Sequence, residues 1–218
     1  MLRRSVGEFL GTGLLVSAVV GSGSMAQNLT QDVGLQLLIN TLATIFALGV
    51  LIELFTPISG SHFNPLVSVI QVIQKELSVQ VGLLYVFAQY VGGIAGAMLA
   101  NLMFSHPAVF MSQHSRIGLQ LWLGEIVATA GLIFVIFQVI NIGKSKLIPI
   151  VVPAWIGAAY FFTSSTSFAN PAVTLARSFT DSFSGIKISS VLGFVLAQCI
   201  GALIGFGLTI FFKSEMSN

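Results

Sequence analysis

Two Asn-Pro pairs, Asn64-Pro65 and Asn170-Pro171, carry the residue types in this chain best suited to handling a solute. Asparagine is a favoured helix N-cap and proline is favoured at the first helical position, so each pair predicts the start of a helix. The first such stretch, Asn64 to Gln74, has eleven residues. As a helix it spans about 16 Å, roughly half of a ~30 Å hydrocarbon core. A helix N-terminus carries partial positive charge, and an asparagine amide donates N–H groups. Two such ends aimed at one point attract the oxygen lone pairs of an uncharged solute and repel a cation. The plainer alternative is two ordinary capped surface helices. The matching surroundings of the two pairs, set out below, argue against it.

Three carboxylates, Glu8, Glu53 and Glu125, fall within apolar runs, where a charge is costly and has to face protein. Glu53 stands near the end of its run and reads as interfacial. A proton relay through Glu8 or Glu125 needs further ionisable groups at the same depth, and no intramembrane lysine, arginine or second carboxylate is expected beside either. His106 and His114 fall in a loop, and no role is assigned to them. Cys199 is the single cysteine; it forms no internal disulfide and reads as a small buried hydrophobe. No Ser/His or metal-ligating constellation is present, so no catalytic residue, metal or cofactor is assigned.

The elements that must position these residues follow from composition. The chain has 218 residues, 55% hydrophobic and 7% charged, with mean hydropathy +0.95 and net charge +2. Soluble domains carry roughly 25% charged residues. This chain cannot cover a globular surface with polar side chains, so it is an integral membrane protein, and nucleic-acid binding is excluded on the same numbers. Apolar windows predict six spans: Val6–Val20, Val33–Phe55, Gly82–Phe104, Gln120–Val139, Leu147–Phe162 and Val191–Phe212. Six strands of this length would not close a barrel, so the spans are helices. The first could pass for a signal peptide behind Arg3 and Arg4. It lacks an Ala-x-Ala-like cleavage site and is kept as a span, with Gly21-Ser22-Gly23-Ser24 expected to lead into a loop. Of nine basic residues, six (Arg3, Arg4, Lys75, Lys144, Lys146, Lys213) fall on the side of the N-terminus and three (Arg116, Arg177, Lys187) on the other. That asymmetry predicts cytoplasmic termini.

The chain repeats itself, over about 1–110 and 115–218. Gly7-Glu8-Phe9-Leu10-Gly11-Thr12 corresponds to Gly124-Glu125-Ile126-Val127-Ala128-Thr129, and Ala88-Gln89-Tyr90-Val91-Gly92 to Ala197-Gln198-Cys199-Ile200-Gly201. Between these landmarks lie the two Asn-Pro segments. Each half has an odd number of spans, three, so the second half inserts upside down and the half-helices enter from opposite faces. The expected fold is all-α: six transmembrane helices plus two re-entrant half-helices in an inverted repeat, forming one domain.

On Ser59-Gly60-Ser61-His62-Phe63-Asn64-Pro65, Asn170-Pro171-Ala172 and the two glutamate motifs, the chain resembles the aquaporin and aquaglyceroporin (major intrinsic protein) family over essentially its full length. The resemblance implies a pore in each protomer of a homotetramer in the lipid bilayer of the bacterial inner membrane, passing water and small uncharged solutes. It implies that Glu8 and Glu125 support the re-entrant loops and that His62 lines the pore; a loop histidine satisfied by its neighbours is the alternative reading of His62. Two departures from the family pattern stand out. The first motif reads Asn64-Pro65-Leu66, which adds bulk and implies modest repacking. Where most members place an arginine after the second motif, this chain has Val173, and Arg177 follows about one turn later on the same face.

The resemblance further places Thr44 and Ser167 at filter positions, with Phe161, Phe162 and Ser164 as alternatives for the fifth-span position. Thr44, Ser167 and Val173 are small, so the implied constriction is wider and less cationic than a strict water filter. The run Asn170 to Arg177, followed by Phe183-Ser184-Gly185-Ile186, is similar to the bacterial branch often linked with arsenic-resistance genes, which implies glycerol-like polyols or As(OH)3-like solutes. An ion-coupled secondary transporter also uses inverted repeats and broken helices. Its coupling would need midplane ionisable groups beyond the two glutamates.

Overall fold

The computed structural model describes residues 1–215, and every regular element in them is helical. The elements are α1 (Leu2–Leu29), α2 (Val33–Ser59), α3 (Pro65–Ile73), α4 (Val79–Met103), α5 (Leu119–Asn141), α6 (Ile148–Phe162), α7 (Pro171–Ala176) and α8 (Ile188–Glu215), with 3-10 turns at Ser145–Leu147 and Arg177–Phe179. Six are long and apolar enough to cross a bilayer, the fifth when α6 is counted with the 3-10 turn before it. At 1.5 Å per residue, α3 and α7 reach only about 14 Å and 9 Å, so neither crosses.

Local chemistry sets the boundaries. Asp32 caps α2 by accepting from the Leu35 N–H at 2.9 Å, and Gly60 ends it in a left-handed turn with φ +90°. Ser78 caps α4. Asn64 and Asn170 cap α3 and α7, each with proline at the first helical position.

The first span differs from its sequence expectation. Gly21-Ser22-Gly23-Ser24 is helix rather than the approach to a loop, and α1 runs on to Leu29. The small residues are there for packing: Gly21, Gly23 and Ser24 are buried. Asn40 from α2 donates to the Val19 carbonyl and to Ser22 Oγ, both at 2.8 Å.

Helix pairing is tightest between α1 and α4 and between α5 and α8, and the two pairs use the same device. A methyl group at Gly92 or Gly96 would overlap the carbonyl oxygens of Phe9 or Gly13, and one at Gly201 or Gly205 those of Ile126 or Ala130. Without Cβ atoms the backbones close to contact distance, the small-residue packing by which helices associate where no hydrophobic drive exists between them. Large side chains such as Phe46, Leu83, Phe87, Leu192 and Leu203 point outward and are exposed, as a lipid-facing surface requires.

Candidate functional site

The segments before α3 and α7 are strained in the same way. Ser61 and Phe63 in one, and Ser167 and Ala169 in the other, hold φ between +48° and +51°. A left-handed conformation costs a residue with a side chain about 1–2 kcal/mol, so something must hold it. Two buried carboxylates do. Glu8 accepts from the N–H groups of His62 (3.0 Å) and Phe63 (2.7 Å), from Ser59 Oγ (2.6 Å) and from Gln89 Nε2 (2.8 Å). Glu125 accepts from the N–H groups of Phe168 and Ala169, both at 2.8 Å, and from Gln198 Nε2 at 2.6 Å. Charge-assisted hydrogen bonds of this kind are the strong ones.

Gln89 and Gln198 then donate onward to Ser68 Oγ on α3 and Thr174 Oγ1 on α7. Each carboxylate, glutamine and hydroxyl forms one chain tying a full-length helix to a half-helix. The glutamines had no role assigned from sequence, although both stand in the repeated Ala-Gln-x-x-Gly landmark, which was the available signal.

The two asparagines join the halves. Asn64 Nδ2 donates to the Ala169 carbonyl at 2.8 Å, and Asn170 Nδ2 to the Phe63 carbonyl at 2.7 Å. Their Oδ1 atoms are spent on the caps, Asn64 on the Leu66 N–H and Asn170 on those of Ala172 and Val173. An amide has two N–H donors, so each asparagine keeps one N–H for the cavity that both line.

That cavity, of about 120 Å³, has room for several waters. Its walls are unlike. One is apolar, built from Leu15, Val19, Leu48, Ile52, Leu132, Val152 and Ile156; the other runs through the loop residues Gly60 to Phe63 and Ser167 to Ala169. With the loop N–H groups drawn to Glu8 and Glu125, the carbonyls of Gly60, Ser61, His62, Ser167 and Phe168 make no hydrogen bond to the described residues. The arrangement offers a narrow apolar passage with a file of hydrogen-bonding groups along one side. Uncharged solutes can exchange water for these groups, while an ion loses its hydration shell for too little return.

Thr44, Ser167, Val173, His62 and Arg177 all line the cavity. Ser167 Oγ is buried with no protein partner. His62 is held by Ser68 Oγ through Nδ1 at 2.9 Å and meets the Tyr85 ring edge-on. Glu8 and Glu125 sit behind the loops, fully buried. Leu66 turns away from the cavity to pack with Ile133, Phe137 and Ala202.

The fifth-span alternatives are corrected. Phe161 and Phe162 face outward, 55% and 54% exposed, and Ser164 is exposed with its hydroxyl donated to the Gln120 carbonyl. None lines the cavity. Tyr160 does, buried, with its hydroxyl 3.4 Å from Thr44 Oγ1. The stretch Ala158 to Phe162 is apolar on every face, so counting along it could not separate the cavity face from the lipid face.

Six spanning helices, two half-helices capped by asparagines that meet head to head, and a lined passage between them define an aquaporin-like membrane channel. Comparison with known proteins gives the family. The family model described as "Major intrinsic protein" matches residues 1–169, and the chain belongs to that family. It is 49% identical over 208 residues to "Aquaglyceroporin AqpS" of Rhizobium meliloti (strain 1021), covering 95% of this chain and 89% of that protein. It is 33% identical over 161 residues to a "Probable aquaporin TIP-type" of Medicago truncatula, covering 72% of this chain and 64% of that one. Its fold matches the X-ray structure of the aquaglyceroporin from Plasmodium falciparum with a TM-score of 0.67 at 24% identity, over 97% of this chain and 95% of that one. The protein is a multi-pass membrane channel that passively conducts water and small uncharged solutes, and it is not an enzyme. Family membership does not favour the ion-coupled transporter.

Proposed function

We propose that the pore admits glycerol-sized polyols and uncharged trihydroxy metalloids such as As(OH)3 as well as water, through a constriction formed by Thr44, Tyr160, Ser167 and Val173. The carrying observation is Val173, buried on the cavity wall with a side chain that has neither charge nor donor. The similarity to a bacterial aquaglyceroporin supports the same reading. Asn64 and Asn170 donate to the passing solute at the centre. An arginine at 173 would add bulk, five N–H donors and a fixed charge. Val173→Arg is therefore expected to lower glycerol and arsenite permeability in proteoliposomes at least five-fold more than water permeability. A solute-to-water ratio that does not move removes Val173 from the constriction.

Three further readings belong to this proposal. The halves 1–110 and 115–218 are an inverted repeat forming one channel domain. The chain assembles as a homotetramer with one pore per protomer. Both termini are cytoplasmic in the bacterial inner membrane, as the six-to-three distribution of basic residues indicates. Membrane-impermeant labelling of end tags on intact cells is expected to reach neither terminus, and labelling of either one overturns this orientation.

A further inference from the structure

Counting from the two asparagines exposes one mismatch along the cavity. Three residues on stand Val67 and Val173, alike; seven on stand Gln71 and Arg177. All four line the cavity. One half-helix therefore offers a neutral amide where the other offers a guanidinium, 2% exposed.

Arg177 is clamped rather than loose. Its Nε donates to the Ser184 carbonyl, and its Cζ lies 3.4 Å from the Phe168 ring centroid. Arg116 lies against the same ring at 5.1 Å and donates to the Gly185 and Phe183 carbonyls. These contacts use one edge and one face of the Arg177 guanidinium. Its terminal nitrogens donate to no described residue, and they belong to a side chain on the cavity wall. No carboxylate forms an ion pair with it among the described residues. Glu125, the nearest buried acid by sequence motif, makes its hydrogen bonds to the loop N–H groups and Gln198 instead.

We propose that Arg177 is the charge-selective element of this pore, so that width and charge are set by different residues: Val173 leaves the passage wide, and Arg177, one turn further on, repels cations and donates to solute oxygens. This rests on the reading of Val173 given above. A fixed charge without an ion-pair partner in a low-dielectric passage raises the barrier to any monovalent cation, hydronium included, while its free N–H groups favour uncharged hydroxylated solutes. The Phe168 ring and the Ser184 carbonyl hold it in one orientation.

Arg177→Gln copies the residue of the opposite half-helix and keeps a donor without the charge. In proteoliposomes at equal protein density, the ratio of K⁺ or proton leak to glycerol permeability is expected to rise at least ten-fold in Arg177→Gln and to return to within two-fold of the parent value in Arg177→Lys. Val173→Arg/Arg177→Gln, which moves the charge one turn, is expected to suppress the leak again while narrowing the solute range. An unchanged leak-to-glycerol ratio in Arg177→Gln overturns the proposal, as does a fall in all fluxes together that Arg177→Lys fails to rescue, which assigns Arg177 to anchoring the Ser184 loop. The reading of Val173 fails separately, through the glycerol-to-water ratio of Val173→Arg alone.

Discussion

The two half-helix supports are built to one plan and finished differently. In each, a buried glutamate holds two loop N–H groups, a glutamine links it to the half-helix, and an asparagine reaches across. Glu8 takes a fourth donor, Ser59 Oγ, which in turn accepts the Ser61 N–H; the counterpart Ser165 accepts the Ser167 N–H but does not reach Glu125. His62 meets Tyr85 edge-on where Phe168 meets Phe194 edge-on, at 5.3 Å and 5.1 Å. The His62 and Phe168 rings both line the cavity, the first polar and the second apolar and stacked with Arg177. The skeleton that bends the backbone is thus common to both halves, and the side chains facing the solute are where they diverge.

This comparison can be broken most severely at the carboxylates. Glu8→Ala and Glu125→Ala each strand several buried donors, at about 1–3 kcal/mol apiece. Both are expected to lose stable, monodisperse protein in detergent, Glu8→Ala more completely because it strands four donors against three. Thermal unfolding of the purified variants orders them, and equal stabilities would deny the asymmetry.

The asparagines sharpen it at smaller scale. Asn170 caps two N–H groups and Asn64 one, and losing a cap costs about 1 kcal/mol. Asn170→Ala is expected to be the less stable of the two, and both are expected to conduct less at equal membrane abundance. Stopped-flow permeability with a melting curve on the same sample checks both. The smallest effect is expected at Tyr160. Tyr160→Phe removes a hydroxyl whose bond to Thr44 is long, and the glycerol-to-water ratio is expected to change less than two-fold.

The spans, the half-helices and the pairing of Glu8 with Glu125 were legible in sequence because each carries a strong local signal: apolar length, an Asn-Pro start, a carboxylate where none is tolerated. What was not legible depended on which face of an apolar helix meets the cavity. Tyr160 differs from Phe161 by one position on a segment apolar all round, and hydropathy is silent there. Gly21 to Ser24 suggest the approach to a loop because small polar residues usually mark one. Here Asn40 of another helix supplies partners that the local sequence does not announce.

The crossed amides also govern how the chain can be made. Asn64 is synthesised long before Ala169, the acceptor of its side chain, and Phe63 long before its donor Asn170. A ribosome paused in α5 has delivered a half-finished hairpin whose tip holds an amide and a carbonyl with no mates inside a lipid environment that supplies none. The last contacts of this tip are therefore completed late. The first re-entrant segment, already tied to Glu8, gains its last two hydrogen bonds only when the last third of the polypeptide arrives, and a nascent chain cut short leaves that tip half-satisfied.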